Sequence, residues 1–306
     1  MYVLLLPLLL LLFLIVGVIS LIKKKFVIAI AFVCFSFILN YMTETYAFKS
    51  AFIPAINVGK RIRIMSYNIH NNGVYFDKTP DGIDSLMAFV KKESPDIIFL
   101  TEYWKYRRPE LAAKLHELYP YCSAYVFDKP DHTDFFLCSR FPVSNVHRFE
   151  KRGLKQMLVH GVDVDIDGRK IKLIGCHLQS NNLSKKQKSR TGGTYWDNLK
   201  NGYEMRQRQV ERIRDSVASY DCPLIVMGDM NDISGSYTLR TLKQAGLKDA
   251  WWERGLGYGA TYVALWIGWR LDHIMCSKEF EVGKVSVFNV PYSDHKPILA
   301  DLYMTN

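Results

Sequence analysis

The sequence predicts a mixed α/β domain in which two β-sheets pack together beneath outer helices, preceded by a pair of apolar membrane helices. Strand-like segments occur both as hairpins and separated by helix-like segments, which is the pattern of mixed sheets. Two long uncharged runs near the start of the chain predict the membrane helices. At 306 residues, with 49% hydrophobic and 13% aromatic content, the chain can bury a substantial core.

The first 43 residues are predicted to form a transmembrane hairpin. Residues 2–22 carry no charge and are long enough to cross a hydrocarbon core of about 30 Å. A cleaved signal peptide is the less favoured alternative, because the run lacks a basic start and a clear small-residue cleavage site. After three lysines, a second uncharged run at 26–43 reaches the short end of spanning length. Residues 44–60 are interpreted as a linker and 61–306 as the globular domain.

The lysines at 23–25 predict the orientation of this hairpin. Under the positive-inside rule they lie in the cytoplasm, so the globular domain is extracytoplasmic, either periplasmic or at the cell surface. If the second run only lies in the interface or re-enters, the domain is instead cytoplasmic. Basic residues that follow this run, from Lys49 to Arg63, weaken the charge asymmetry.

Part of the net charge of +10 lies in one basic run, KKQKSR at 185–190, within a predicted exposed loop at 179–203. Such a run is most often a solvated loop. It could also guide a polyanion or an anionic lipid towards a nearby site. Charge alone does not choose between these partners, and no obligate protein partner is indicated.

The first half of the domain alternates strands and helices. RIRIMSYNIH at 61–70 begins with the alternation of a half-buried strand. Helical spacing predicts a helix that Asp81 caps and Pro95 stops. A buried strand, IIFLTE at 97–102, ends in an acid, and a short helix is predicted at 108–120.

The second half is predicted to contain a hairpin, a long helix and several strands. Two alternating runs within 157–178 flank Asp167-Gly168, a strong tight-turn signal. Apolar residues at helical spacing predict a charged helix over about 199–218. LIVMGD, RLDHIMCS, KVSVFNV and ILADLY supply the later strands.

The six cysteines give no sign of a zinc site, and the odd number in the globular part rules out a complete disulfide framework. Cys34 lies in the second apolar run, and the other five show no CxxC pairing or histidine spacing typical of zinc ligands. A single bridge between Cys122 and Cys138 would fit an oxidising compartment, but buried free thiols are the favoured interpretation.

Polar side chains recur at the predicted strand ends. Ligands in α/β folds bind where strand ends and their loops converge, so these residues could form one site. Each of them alone has an ordinary structural explanation, and the ordered set is what favours chemistry. The candidates are Asn68, Glu102, His177, Asp229, Asn231, Asp272, Asp294 and His295.

The segment VMGDMND at 226–232 has two interpretations. If strand geometry continues through it, Asp229 and Asn231 project from the same face and reach one substrate group. Gly-Asp-x-Asn-Asp is also an ordinary turn or helix cap. A serine-hydrolase triad built from residues 293–295 is disfavoured, because adjacent strand residues point to opposite faces.

In this order the motifs resemble those of the endonuclease/exonuclease/phosphatase superfamily, over roughly residues 61–303. The motifs are SYNIH, LTEYW, SRFPV, GCHLQS, GDMND, RLDHI and SDHKPI. The resemblance implies a four-layer α/β sandwich that hydrolyses a phosphoester with Mg²⁺ or Mn²⁺. Hard cations of this kind prefer oxygen ligands.

The resemblance also implies a role for each candidate. Glu102 is the main metal ligand, and Asn68 and Asp294 help to hold the ion or the phosphate. His295 is the catalytic histidine, oriented by Asp272, while Asp229 orients or deprotonates the attacking water. The remaining two candidates, Asn231 and His177, hydrogen-bond the phosphoryl oxygens during an in-line displacement.

Departures from subfamily patterns narrow the expected substrate to that of a general phosphodiesterase. His177 argues against the abasic-site endonucleases, and GDMND and RLDHI lack the inositol-polyphosphate phosphatase signatures. What remains is a deoxyribonuclease- or sphingomyelinase-like branch with a nucleic acid or a phospholipid headgroup as substrate. The alternative is a membrane-anchored binding protein without activity, with a recognition surface of Trp251, Trp252, Trp266 and Trp269.

Overall fold

The computed structural model describes most of the domain. The described residues are 45–48, 58–70, 81–103, 108–126, 133–148, 158–181, 194–264 and 267–305, with isolated positions between 15 and 42. Apart from those positions, the predicted membrane spans at 2–22 and 26–43 lie outside this set, as does the basic run at 185–190. In the part of the chain that is described, no helix has the length and apolar character needed to cross a membrane.

Strands and helices alternate along the described chain. In order they are β1 (Lys60–Asn68), α1 (Gly82–Glu93), β2 (Ile97–Thr101), α2 (Pro109–Leu118), β3 (Tyr121–Val126), β4 (Thr133–Ser139), β5 (Val143–Arg148), β6 (Leu158–Ile166), β7 (Arg169–His177), α3 (Tyr195–Ala218), β8 (Leu224–Asp229), α4 (Tyr237–Gln244), β9 (Lys248–Asp249), α5 (Ala250–Arg254), β10 (Tyr262–Ala264), β11 (Ile267–Trp269), β12 (Asp272–Cys276), β13 (Phe280–Val287) and β14 (Ile298–Met304).

Two six-stranded mixed sheets form the centre of the domain. The first has the order β13-β14-β1-β2-β4-β3 and the second the order β5-β6-β7-β8-β12-β9. Each contains one parallel pair, β1 with β2 and β7 with β8, and its other pairs are antiparallel. Strands β10 and β11 make a separate ribbon. The predicted two mixed sheets are confirmed.

Three hydrophobic clusters hold the layers together. Ile64 and Phe99 of the first sheet meet Leu173 and Met227 of the second in the central cluster. A second cluster joins the outer face of the first sheet to α1 and α2, and a third joins the second sheet to α3 and α4. The order of layers is therefore helices, sheet, sheet, helices, as a four-layer sandwich requires.

Strand alternation aims four of the candidate residues into the gap between the sheets. In β1, β7, β8 and β12, the residues that belong to the central cluster alternate along the strand. Asn68, His177, Asp229 and Asp272 have the same parity as those core residues and stand at an end of their strands. The polar site therefore continues the inter-sheet core at one edge.

Two boundaries differ from the sequence prediction. Asp81 does precede α1, but it has a left-handed φ of 52° and its side chain makes no capping hydrogen bond. Helix α3 begins at Tyr195 rather than near residue 199, because Thr194 and Asp197 form a reciprocal capping box. The predicted exposed loop at 179–203 is therefore helical from residue 195 onward.

Cys122 and Cys138 form a disulfide, so the expectation of free thiols was wrong for this pair. The two residues are direct partners in the β3–β4 pairing, with Cα atoms 4.1 Å apart. Cys176 and Cys276 are buried free cysteines, as expected.

Trp251 belongs to the hydrophobic core, which contradicts the predicted four-tryptophan recognition surface. It is 7% exposed and its indole N–H donates to the carbonyl of Gly257. Trp252 and Trp269 are partly buried, and Trp266 lies outside the described residues. A surface that requires all four side chains is not formed.

Residues 45–48 of the predicted linker pack against the domain. Ala47 exchanges two backbone hydrogen bonds with Gly257, of 3.0 and 2.8 Å, and is 1% exposed. The ring of Tyr46 lies 5.7 Å from that of Tyr258. This short segment is thus held against the loop that follows α5.

Gly228→Ala is expected to destabilise the protein by more than about 2 kcal/mol. Gly228 has a φ of +133°, and an added Cβ would lie 1.9 Å from the carbonyl oxygen of Cys176 in the neighbouring strand. The matched control is Gly168→Ala, with a φ of +86° and nothing within 4 Å, which should cost only about 1 kcal/mol. Chemical denaturation of the full-length chain measures both, and equal losses would show that the close strand approach is unimportant.

Candidate active site

Asn68 joins two carboxylates at the end of the inter-sheet gap. Its Nδ2 donates to Glu102 Oε1 at 3.0 Å and to Asp229 Oδ2 at 2.9 Å. Its Oδ1 accepts the backbone N–H of His70 at 2.9 Å. Asn68 and Asp229 are 0% and 2% exposed, whereas the Glu102 side chain is 20% exposed, so one amide joins a buried acid to a partly exposed one.

A local change in backbone conformation brings Glu102 into this group. It follows the last residue of β2 with a left-handed φ of 56°. Continued alternation would point its side chain towards the outer helices, and the turn breaks that alternation. Strained φ values of this kind cost of the order of 1–3 kcal/mol and concentrate at functional sites.

Asp272 and His295 form a buried pair beside the carboxylates. His295 Nδ1 lies 2.8 Å from Asp272 Oδ2, and its Nε2 lies 3.8 Å from Asp229 Oδ2. Burial opposes a charged imidazole, but Asp272 and Asp229 outweigh it and raise the pKa of His295 to about 10. The metal-free site therefore holds a protonated histidine at neutral pH, with Nε2 facing the carboxylate of Asp229.

Asp229 lies at the centre of the group. Burial and then the negative charge of Asp272 raise its pKa above the usual 3.8, against the opposing effects of His295 and His177. His177 Nε2 is 3.9 Å from Asp229 Oδ2 and 3.8 Å from Glu102 Oε1. The structure therefore brings Asn68, Glu102, His177, Asp229, Asp272 and His295 together.

Asn231 reaches the site by a turn and not by continuation of the strand. β8 ends at Asp229, and Asn231 has a left-handed φ of 49°. Its backbone N–H donates to Asp229 Oδ1 at 2.8 Å, and its Nδ2 donates to the carbonyl of Leu178 at 2.9 Å. The turn interpretation of GDMND is correct for its backbone, and the turn stands at the edge of the acidic group.

Asp294 lies beside a histidine that the sequence analysis did not single out. His70 Nδ1 is 3.0 Å from Asp294 Oδ1. Burial would raise the pKa of Asp294, but the hydrogen bond from His70 and the charge of His295 hold it below 3.8. His70 is the last letter of the quoted motif SYNIH, so its position was visible, but its left-handed turn was not.

Two hydroxyl groups fix the backbone of the site. Ser293 Oγ donates to the carbonyl of Asn68 at 2.8 Å and accepts the backbone N–H of His295. Thr261 Oγ1 accepts the N–H groups of Leu271 and Asp272, each at 3.0 Å. Thr261 lies in a loop with no periodic pattern, and nothing in the sequence analysis pointed to it.

The donor set fits a hard divalent cation. Buried carboxylates dominate the group, and Asp272 Oδ1 is buried without a hydrogen-bond partner in the described structure. Ligand atoms of Asp229, Asp272 and His295 lie within 4.8 Å of one another. The ligands predicted from the sequence, Glu102 and Asn68, differ from this trio, but they also lie next to Asp229. Because Asp272 Oδ2 is bound to protonated His295, whose positive charge would repel a cation, the Glu102 side of Asp229 is the better place for an ion.

The stability of the metal-free protein should fall as pH rises from 6.5. The folded-state pKa of His295 is raised, so its contribution is complete below 6.5 and is lost as pH rises towards 10. The free energy of unfolding should drop by about 1–3 kcal/mol between pH 6.5 and about pH 9. Denaturation in a chelator measures this loss.

His295→Gln should flatten that pH dependence. His116→Gln, at an exposed position on α2, should leave it unchanged. A wild-type slope in the His295 variant would show that another group is responsible.

Comparisons with known proteins give the family. The model of the Endonuclease/Exonuclease/phosphatase family matches residues 65–295, whereas no curated protein matches the sequence.

An endonuclease/exonuclease/phosphatase from Beutenbergia cavernae superposes with a TM-score of 0.59 at 17% identity, covering 81% of this chain and 72% of that one. Humanized D. rerio TDP2 gives 0.59 at 16% identity, covering 80% and 99%. The beta toxin of Staphylococcus aureus gives 0.55 at 14% identity, covering 80% and 100%. These similarities show the fold, and the family match over most of the domain shows that the chain belongs to the endonuclease/exonuclease/phosphatase family of phosphoester hydrolases.

Proposed function

We propose that the protein is a membrane-anchored, divalent-metal-dependent phosphodiesterase that cleaves its substrate by in-line attack of an activated water. The observation that carries this proposal is the juxtaposition of the Asn68–Glu102–Asp229 group with the Asp272–His295 pair. Carboxylates for a cation, a base of raised pKa and a protonated imidazole are the groups that this chemistry needs.

Glu102 and Asn68 would hold Mg²⁺ or Mn²⁺, with Asp294 contributing from the His70 side of the site. In the metal-free protein Asn68 presents its amide nitrogen to Glu102 and Asp229, so its amide must rotate for Oδ1 to reach an ion held by Glu102. When bound, the ion supplies charge neutralisation at the phosphoryl group. Side chains of the protein carry out the proton transfers and bind the phosphoryl oxygens.

Asp229 is the candidate base for the attacking water. A carboxylate of raised pKa takes a proton more readily than an exposed one, and burial beside Asp272 provides that shift. The backbone N–H of Asn231 fixes Oδ1 of Asp229, so Oδ2 faces the imidazoles and the water.

His295 is the candidate proton donor. Asp272 holds Nδ1, so Nε2 is directed towards Asp229 and the reacting phosphoryl group. His177 Nε2 and the second amide hydrogen of Asn231 would donate to phosphoryl oxygens as negative charge develops there. The protonated imidazole can also neutralise the leaving oxygen.

We also propose that the protein is attached to a membrane and that its globular domain lies in an oxidising compartment. The two uncharged runs at 2–22 and 26–43 support anchoring, and the lysines between them support an extracytoplasmic domain. The Cys122–Cys138 disulfide supports an oxidising compartment, where such bonds persist.

Tethering to the membrane favours phosphodiester substrates at a surface, because it raises the local concentration of the enzyme there. Nucleic acid and phospholipid headgroups are the two substrate classes to be compared.

Hydrolysis should require a divalent ion and both halves of the site. The full-length chain in detergent is assayed with Mg²⁺ or Mn²⁺ on DNA, RNA, sphingomyelin, glycerophospholipids and bis-p-nitrophenyl phosphate. Glu102→Ala and His295→Ala should each reduce turnover by at least about a hundredfold, since each removes a group needed in the transition state.

Glu117→Ala, at an exposed position on α2, is the matched control and should keep wild-type activity. The substrate that is turned over identifies the branch. A folded, metal-saturated protein that cleaves none of them would favour the binding-protein alternative.

Cys122 and Cys138 should be oxidised in the cell, and a reporter fused at the C-terminus should be active outside the cytoplasm. Thiol alkylation before lysis, followed by mass spectrometry, reads the redox state of the pair. Buried Cys176 should remain a thiol and serves as the internal control. Reduced Cys122 together with a cytoplasmic reporter would contradict the proposed location.

A further inference from the structure

We propose that Arg206 and Gln209 of helix α3 are positioning residues for the active site, a role that rests on the proposed phosphodiesterase function. They hold the loop 178–181 that follows His177 against the turn that carries Asn231. Neither residue lies on a strand end, and both are remote in sequence from the motifs of the site.

Arg206 grips both loops at once. It is 1% exposed, and its Nη1 donates to the carbonyl of Gln179 at 2.7 Å and to Asn181 Oδ1 at 2.8 Å. Its Nε donates to Asp232 Oδ2 at 3.3 Å, in the turn after Asp229. One guanidinium therefore ties the segment after β7 to the segment after β8.

Gln209 fixes the same loop from the next turn of the helix. It is 0% exposed, and its Oε1 accepts the backbone N–H of Gln179 at 2.9 Å. With Arg206 on the carbonyl, both backbone polar groups of Gln179 are bound by side chains of α3.

Gly202 lets the helix approach the loop closely. A Cβ at this position would lie 2.8 Å from Asn181 Oδ1 and 3.2 Å from the carbonyl oxygen of Ser180. Residues 202, 206 and 209 fall on one helical face, at spacings of four and three. That face therefore lies against the loop 178–181, and Arg206 extends from it to Asp232 as well.

The loop 178–181 is hydrogen-bonded directly to residues of the site. Leu178 donates its N–H to the carbonyl of Asp229 at 2.9 Å and accepts from Nδ2 of Asn231 at 2.9 Å. His177 immediately precedes Leu178. A shift of the loop would therefore displace the imidazole of His177 and release the amide of Asn231.

Stability alone is a poor explanation for this arrangement. Burying a charged guanidinium carries a large desolvation cost, and apolar residues of similar volume often give equal or greater stability. α3 already packs through Val210, Ile213 and Val217. Buried polar networks of this kind fix one geometry among several, and catalysis depends on such geometry.

The test compares three variants of these residues with a packing control in the full-length chain. Gln209→Leu removes the acceptor at similar volume, whereas Gln209→Glu keeps an oxygen in its place. Arg206→Lys keeps the charge opposite Asp232 but cannot span the two loops. Val217→Ala removes packing atoms from the last turn of α3, eight residues beyond Gln209.

Gln209→Leu and Arg206→Lys should lower kcat by about ten- to a hundredfold, with KM changed less than about threefold, because small displacements of reacting groups have effects of this size. Gln209→Glu should stay within about threefold of wild type, and Val217→Ala should lower Tm with kcat within about twofold. Losses of kcat that follow Tm through all four variants would overturn the positioning role.

A second readout does not depend on turnover. In histidine-labelled protein, the NMR signals of the His177 ring, assigned with His177→Gln, should shift in Gln209→Leu and Arg206→Lys but not in Val217→Ala. If wild type cleaves no substrate while these signals move, the proposed function fails and the positioning role stands. Unmoved signals would overturn the positioning role whether or not the enzyme is active.

Discussion

The structure of the site depends on how the buried charge of Asp229 is compensated. This carboxylate is 2% exposed and lies beside Asp272, which is 0% exposed, and both effects disfavour ionisation. The amide of Asn68, a backbone N–H and the imidazolium of His295 offset this cost in the metal-free protein. A divalent cation on the Glu102 side would complete the compensation. The acidic group therefore favours the binding of a cation at the place where a phosphoryl group would bind.

The two-sheet architecture explains why these groups meet. Pleat alternation sends Asn68, His177, Asp229 and Asp272 into the gap between the sheets, where the same parity places the apolar core further in. The apolar core excludes water from one side, which strengthens each electrostatic contact at the edge. Helix α3 also helps to fix the position of His177, because side chains on one of its faces hydrogen-bond the loop that follows this residue.

Much of this could be predicted from sequence, since the fold follows from local periodicity and the site residues stand at strand ends. The run LIVMGD predicted a strand that ends at Asp229, as the structure has it. Asn231 and Glu102 needed left-handed turns, which no periodic pattern reveals. Arg206 was hidden for a different reason: its partners lie more than twenty residues away, and an arginine on a charged helix is normally solvated.

The disulfide and the core tryptophan were misjudged because both depend on pairing between distant segments. Cys122 meets Cys138 only through the register of β3 against β4, and composition carries no information on register. Trp251 looked available for recognition because it lies in an aromatic-rich stretch. Its indole is instead buried, and its N–H donates to the carbonyl of Gly257 in the loop after α5.

The central claim is that a divalent cation binds beside Asp229 on the side of Glu102 and Asn68. The most direct measurement is anomalous diffraction from crystals of the protein soaked in Mn²⁺. We expect one strong peak at about 2–2.5 Å from a carboxylate oxygen of Glu102, with the Asp272–His295 pair intact. An empty Glu102 side, or an ion bound between Asp272 and His295 with their hydrogen bond broken, would contradict it.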